Sequence, residues 1–159
     1  MARFRPLSNY DSVNAILSRI SFLGGLTDEQ LDIIYHTFET ATFEKGEFIA
    51  CCGEDPSYIF IIRSGKVALL INDGIRSVRK RTFEVGDCFG EAALLSLVNT
   101  SASFLADETT ELIAFSRKAL NQIHRDEPAI FCQIILNLAR DLARKLQYTD
   151  AILVRGQDS

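Results

Sequence analysis

The spacing of turn residues constrains this chain most. From about Thr40 to Ser116, Gly46, Gly53 with Pro56, Gly65, Asp73-Gly74 and Gly86 recur at intervals of about 7 to 12 residues. Between them lie short apolar and β-branched runs such as Ile59-Phe60-Ile61-Ile62 and Val67-Ala68-Leu69-Leu70-Ile71. Short strands at that interval predict an all-β sandwich, barrel or jelly roll. Asp73-Gly74 is the clearest turn, because both residues tolerate the positive φ of a two-residue hairpin. Beyond it, Ile75, Ser77, Arg79 and Arg81 fall on one face of the returning strand and Arg76, Val78, Lys80 and Thr82 on the other. Neither face is apolar, which predicts a hairpin end projecting into solvent.

Helical periodicity flanks this region on both sides. Val13, Ile16, Leu17 and Ile20 recur at helical spacing, and Thr27 with Gln30 three residues on forms a capping-box signature for a second helix carrying Leu31, Ile34, Tyr35 and Phe38 toward a core. After Pro128 a long helix is predicted to run to about Ile152. On it Phe131, Ile134, Ile135, Leu138, Leu142 and Leu146 make an apolar stripe. Cys132, Leu136, Ala139 and Ala143 widen that stripe to an arc of about 200°. Gln133, Asn137, Arg140, Asp141, Arg144 and Lys145 gather opposite. One core contact needs only about half that arc. The excess predicts two partners, the helix's own domain and a second copy of the chain, with Phe131, Ile135, Leu138, Leu142 and Leu146 as the dimer interface and Leu138 and Leu142 at its centre. The expected organisation is one unit over 1–159, with N-terminal helices over about 11–38, strands over about 40–116 and C-terminal helices over about 117–152.

Composition narrows the function. With 159 residues, 47% hydrophobic and 24% charged, the chain falls among ordinary globular proteins. A net charge of −4 argues against a chain-wide grip on nucleic acid or an anionic membrane. No apolar run approaches the length of a bilayer span and no signal peptide is read at the start, so a cytoplasmic location without a membrane partner is expected. The cysteines Cys51, Cys52, Cys88 and Cys132 are expected to be reduced and packed, with Cys88 inert. His36 and His124, the only histidines, fall in predicted helices, which leaves no metal centre on the strands. Neither a nucleophile elbow nor a P-loop is present, so the chain is read as a non-enzyme without a cofactor.

One segment carries chemistry. Phe89-Gly90-Glu91-Ala92-Ala93-Leu94-Leu95 follows the turn Val85-Gly86-Asp87. A glycine leading into a short helical turn leaves backbone N–H groups free for a small anion, and Glu91 offers a carboxylate to ligand hydroxyls.

Together with Phe22-Leu23, Leu26, Leu31, Phe43-Glu44-Lys45-Gly46-Glu47, Gly53, Tyr58-Ile59-Phe60-Ile61-Ile62, Ser64-Gly65-Lys66-Val67, Gly86-Asp87, Ala102, Phe104, Ala106 and Leu112, this segment resembles the cyclic-nucleotide-binding domain family of catabolite activator proteins, protein kinase A regulatory subunits and cyclic-nucleotide-gated channels. The likeness spans about Leu17 to Arg144. It implies a mainly β fold, an eight-stranded antiparallel β-roll or jelly roll with flanking helices. It also implies a phosphate-binding cassette in which Phe89, Gly90 and Ala92 line the ligand and Glu91 bonds the ribose hydroxyl. The family's phosphate-pairing arginine falls at Thr100, followed by Ser101, and no lysine or arginine occurs from Cys88 to Ala114. Leaving a buried phosphate without its cation costs about 3–5 kcal/mol, of which hydroxyls recover about 1 kcal/mol each. Weak binding of cAMP or cGMP, or of another small molecule, is therefore expected. The family's DNA-reading helix-turn-helix is not found after the long helix. Two readings stay open: a stand-alone regulatory ligand-binding module acting on a protein effector, and a dimerisation or protein-interaction module of the same fold that binds no ligand.

Overall fold

The computed structural model describes residues 3–17, 19–72 and 74–157, with the side chains of Ser12 and Gln157 left aside. The elements in chain order are β1 (Arg5–Pro6), α1 (Asp11–Leu17), a 3-10 turn (Ser21–Leu23), α2 (Asp28–Tyr35), β2 (Glu39–Phe43), β3 (Phe48–Ala50), β4 (Tyr58–Ser64), β5 (Val67–Asn72) and β6 (Ser77–Phe83). They continue with β7 (Cys88–Phe89), α3 (Glu91–Ser96), β8 (Ser103–Ala106), β9 (Thr110–Ser116), α4 (Arg117–Asp126) and α5 (Pro128–Gln157). The strands from β2 to β9 form the expected antiparallel roll. Strand β1, on the N-terminal arm, is an addition, since two residues give no periodic signal.

The roll consists of two sheets, ordered β1-β2-β9-β4-β7 and β3-β8-β5-β6. Its first sheet is covered on both faces, which explains the unbroken apolar run of β4. Ile59 and Ile61 point to the helices, where they join Leu17, Phe22, Ile34, Phe115, Ile130 and Ile134. Phe60 and Ile62 point into the roll, among Ala41, Phe43, Val67, Phe83, Phe89, Phe104 and Ala114. Strand β9 alternates in the same way, with Ile113 and Phe115 in the helical core and Leu112 and Ala114 inside the roll.

Local signals set several boundaries. Thr27 Oγ1 accepts from the Gln30 N–H at 3.2 Å while Gln30 Oε1 accepts from the Thr27 N–H at 2.9 Å, completing the capping box of α2. Ser116 caps α4 by accepting from the Ala119 N–H. The expected turn at Asp73-Gly74 falls partly on Asp73, which lies outside the described residues. On either side of it Asn72 pairs with Ser77, and Asn72 Oδ1 accepts from the Gly74 N–H at 2.8 Å.

The face assignment made for β6 is corrected by a bulge. Arg81 pairs with Leu69 but Arg79 pairs with Leu70, so one extra residue lies between them. Because Leu69 and Leu70 point to opposite faces, so do Arg81 and Arg79. Arg79 reaches outward to a bidentate pairing with Asp107, and Arg81 turns inward over the Phe83 ring.

Helix α5 also packs differently from its sequence pattern. Ile130, Ile134 and Leu138 are fully buried in the chain's own core, so Leu138 is no dimer contact. Much of the face read as polar docks as well. Asn137 donates to the carbonyls of Phe22 (3.0 Å) and Gly24 (2.7 Å), Asp141 accepts from Ser21, and Lys145 reaches Glu91. The 3-10 turn presents carbonyls that lack a helical partner, and Asn137 satisfies two of them. Beyond Leu146 the helix is exposed to Gly156. No helix among the described residues is long and apolar enough to cross a membrane.

Gly65 illustrates how closely the roll is closed. It sits at φ +94° in the turn between β4 and β5, and a Cβ there would lie 2.7 Å from both Thr109 O and Thr110 Cα. Gly65→Ala should lower stability by about 2–5 kcal/mol, from strain and overpacking together. Gly74→Ala, strained but in open space, should cost about 1–2 kcal/mol. Urea melts of the two variants check the difference.

Candidate ligand site

The roll encloses a cavity of about 600 Å³. All six residues singled out in the sequence, Phe89, Gly90, Glu91, Ala92, Thr100 and Ser101, lie on its wall. Gly90 makes the turn from β7 into α3 at φ +89°, where a Cβ would come within 2.8 Å of Tyr58 O. Only glycine combines that dihedral with that approach. The turn delivers Glu91 into the interior at 3% exposure. Thr100 is held by its backbone, its N–H donating to Glu54 O at 3.0 Å and its carbonyl accepting from the Gly53 N–H at 2.8 Å.

Glu91 is not vacant. Lys145, one turn of α5 beyond Asp141 and two beyond Asn137 on the same seam, makes an ion pair with its carboxylate and donates to the Cys88 carbonyl at 3.3 Å. A carboxylate this deeply buried needs a cation or several donors. The one supplied comes from 54 residues away. Burial, with Glu91 adding to it, pushes the Cys88 thiol well above its usual range. Of the four cysteines expected to be packed, Cys51 and Cys88 are partly buried, whereas Cys52 and Cys132 are exposed.

The rest of the wall was not foreseen. Phe4, Tyr58, Phe60, Phe83 and Phe104 join Phe89 around the cavity. Phe4 stacks on Tyr58 with ring centres 4.3 Å apart, Phe60 on Phe89 at 5.2 Å and Phe89 on Phe104 at 4.7 Å. Phe4 comes from the arm, which is fixed from outside by Arg3. That guanidinium pairs with Glu47, donates from Nε to Thr42 O at 3.0 Å and lies 3.8 Å from the Phe43 ring centre. The Glu44 N–H, with the Arg3 pairing adding to it, holds the Glu47 carboxyl below its ordinary range. The pairing of β1 with β2 holds the arm beside the roll, and Phe4, just ahead of β1, lines the cavity. A single aromatic residue ahead of the first helix leaves no periodic trace, and strand pairing alone reveals its destination.

Charges are distributed unevenly over the wall. Glu54 and Asp55 lie on it together with Thr100 and Ser101, whereas Arg81 and Lys145 reach it from β6 and α5. His36 and His124 stand elsewhere: His36 Nδ1 is 2.6 Å from Asp32 O and His124 packs on Phe131. Among the described residues no cluster of three or more His, Cys, Asp or Glu could hold a metal. Of the residues expected at a dimer interface, Phe131 is half-buried within its own chain, while Ile135, Leu142 and Leu146 keep surface outside it.

The ion pair gives a direct test. Lys145→Met should destabilise the protein by about 1–3 kcal/mol, since it leaves a buried carboxylate without its charged donor. Adding Glu91→Gln should recover part of that loss. A denaturant-melt double-mutant cycle measures the coupling.

Comparisons with known proteins agree with this geometry. Residues 40–127 match the family described as the cyclic nucleotide-binding domain. A cGMP-dependent protein kinase of Plasmodium berghei is 31% identical over 124 residues, which make up 77% of this chain but 14% of the kinase. The catabolite activator protein of Thermus thermophilus superposes with a TM-score of 0.74 at 30% identity, over 86% of this chain and 63% of that one. A mutant regulatory subunit of a cAMP-independent protein kinase A from Trypanosoma brucei, bound to cAMP, shares the fold at a TM-score of 0.73 and 22% identity, over 89% and 50% of the two chains. The chain thus spans a small part of the kinase and under two thirds of the activator protein. With a matched region longer than half the chain, a β-roll closed around a cavity and the glycine-glutamate turn on its wall, this chain belongs to the cyclic nucleotide-binding domain family.

Proposed function

We propose that the chain is a regulatory ligand-binding module that takes cAMP and cGMP weakly. One observation carries this reading. Where the family's phosphate would be paired, the wall offers the neutral hydroxyls of Thr100 and Ser101, and Thr100 bonds through its backbone to Glu54, an acid on the same wall with Asp55 next to it in the chain. A cyclic phosphate placed there finds no cation on that part of the wall and meets the Glu54 carboxylate. The occupied state of Glu91 adds to this, because a ribose hydroxyl has to share or displace Lys145.

The same cavity is otherwise equipped for a nucleotide, since Gly90, Glu91 and Ala92 stand on its wall. Supplying the missing charge should therefore be enough to raise affinity. The Trypanosoma brucei protein offers a parallel: it is described as cAMP-independent, and the cAMP-bound form is a triple mutant in which one change is threonine to arginine. Thr100→Arg should raise the affinity for cAMP about tenfold to a hundredfold, the effect of one charge-assisted contact of about 1.5–3 kcal/mol. Calorimetry of the wild type and the variant reads the gain. Tight binding by the unmodified chain overturns the reading.

A second reading, as a dimerisation module, is favoured by the exposed part of α5. Ile135, Ala139, Leu142, Leu146, Thr149 and Leu153 recur at alternating steps of four and three residues, the seam of a coiled coil. Leu146 and Leu153 are 63% and 61% exposed, which is unusual for leucines in register on a helix. The two readings are compatible: the cavity is sensed through Lys145, the paired helices report to a protein effector, and the module works in the cytoplasm. Leu146→Asp should convert a dimer to a folded monomer by sedimentation equilibrium. A wild-type chain that is monomeric at high concentration removes the dimer from the model of action.

A further inference from the structure

Two cations reach the cavity from outside the cassette, and they are not equivalent. Lys145 is neutralised by Glu91. Arg81 makes no ion pair among the described residues, and its guanidinium carbon lies 4.6 Å from the centre of the buried Phe83 ring. The bulge between Arg79 and Arg81 is what turns it inward. Stacking on an aromatic face orients the planar group and leaves its N–H edge free for an oxyanion.

Arg81 lies on one strand of a sheet and the cassette hydroxyls lead into another. In the order β3-β8-β5-β6, Arg81 lies on β6, whereas Glu54 and Thr100 bond to each other beside β3. Thr100 and Ser101 lead into β8, two strand spacings of about 4.8 Å, or about 10 Å, from β6, and Thr100 comes before Phe104, which sits opposite Leu69 as Arg81 does. Toward the β3 edge the wall carries Glu54 and Asp55, and Asp55 faces the Arg117 guanidinium at 3.6 Å. Aromatic rings, from Phe4 and Tyr58 to Phe89 and Phe104, occupy the space between. The cavity is thus negative at the cassette edge, aromatic in the middle and positive at the β6 edge.

We propose that this cavity takes a flat, largely apolar monoanion whose charge is held by Arg81 at the β6 edge, reversed relative to the cassette. The assignment rests on the ligand-binding reading given above and names the ligand chemistry of that same cavity. An anion at the cassette edge would meet the Glu54 carboxylate and the neutral Thr100 and Ser101 hydroxyls, since the charge of Asp55 is matched by Arg117. At the β6 edge it meets a guanidinium that is already oriented, beside a Lys145–Glu91 pair that is neutral overall, so Arg81 sets the sign. A flat body gains from the ring-lined wall, where stacking is favourable. A carboxylate and a phosphodiester both satisfy this chemistry, and Arg81 would pair with either through two parallel N–H bonds.

The test is calorimetry with three probes: naphthalene-2-carboxylate, its neutral amide and cyclic AMP. The proteins are the wild type, Arg81→Gln, Arg81→Lys and Arg79→Gln. Arg79 lies on the same strand but faces away and serves as control. Wild type and Arg79→Gln should favour the carboxylate over the amide at least tenfold. Arg81→Gln should abolish that preference, and Arg81→Lys should retain part of it, showing that charge and not folding is at issue. Equal binding of carboxylate and amide by the wild type, or a preference that survives Arg81→Gln, overturns the assignment. Cyclic AMP separates the two levels of failure: binding that Arg81→Gln leaves unchanged places the charge elsewhere and sinks only this proposal. If none of the three probes binds the wild type at millimolar concentration, the ligand-binding reading fails and the assignment falls with it.

Discussion

A carboxylate at 3% exposure beneath a helix must have a charged partner, and the pairing of Glu91 with Lys145 organises much of this molecule. Glu91 is placed by the Gly90 turn, which only a residue without Cβ can make against Tyr58 O. Lys145 is placed by α5, which Asn137 and Asp141 anchor to the 3-10 turn one and two helical turns earlier. The pair therefore ties the cavity wall to the long helix, which also lines the cavity with Leu142, Leu146 and Thr149.

That contact is made possible by a sheet that is buried on both faces. Strands β4 and β9 give alternate side chains to a helical core and to a core inside the roll. The cavity wall and the seat of α5 are consequently opposite faces of the same strands. Ile59 and Ile61 support the helices, while Phe60, between them, stacks on Phe89 in the cavity. Close packing on both sides leaves little freedom for one face to shift without the other.

The distribution of charge is set by a smaller device. One extra residue in β6 separates Arg79, committed to Asp107 on the outside, from Arg81, committed to Phe83 on the inside. Bulges re-aim side chains in this way. Here the result is a cation on the far edge of a cavity whose cassette has none.

Much of the architecture was legible in the amino-acid order alone. Regular turn spacing, the Thr27-Gln30 capping box and the glycine-glutamate segment all act within a few residues, and local rules govern them without reference to the rest of the chain. The absence of a cation between Cys88 and Ala114 was equally plain. What the order could not convey depends on which distant segments meet. The Lys145 partner of Glu91 lies on a face that periodicity classed as solvent-exposed, because a polar side chain that satisfies a buried carboxylate or a helix-end carbonyl looks, in sequence, like one that faces water. Leu138 looked like its neighbours on the apolar stripe, yet it is spent entirely on the chain's own core. Phe4 and Arg81 reach the cavity through an edge pairing and a one-residue bulge, and both are properties of strand register. Register is decided by packing across the sheet, so only the tertiary structure could place them.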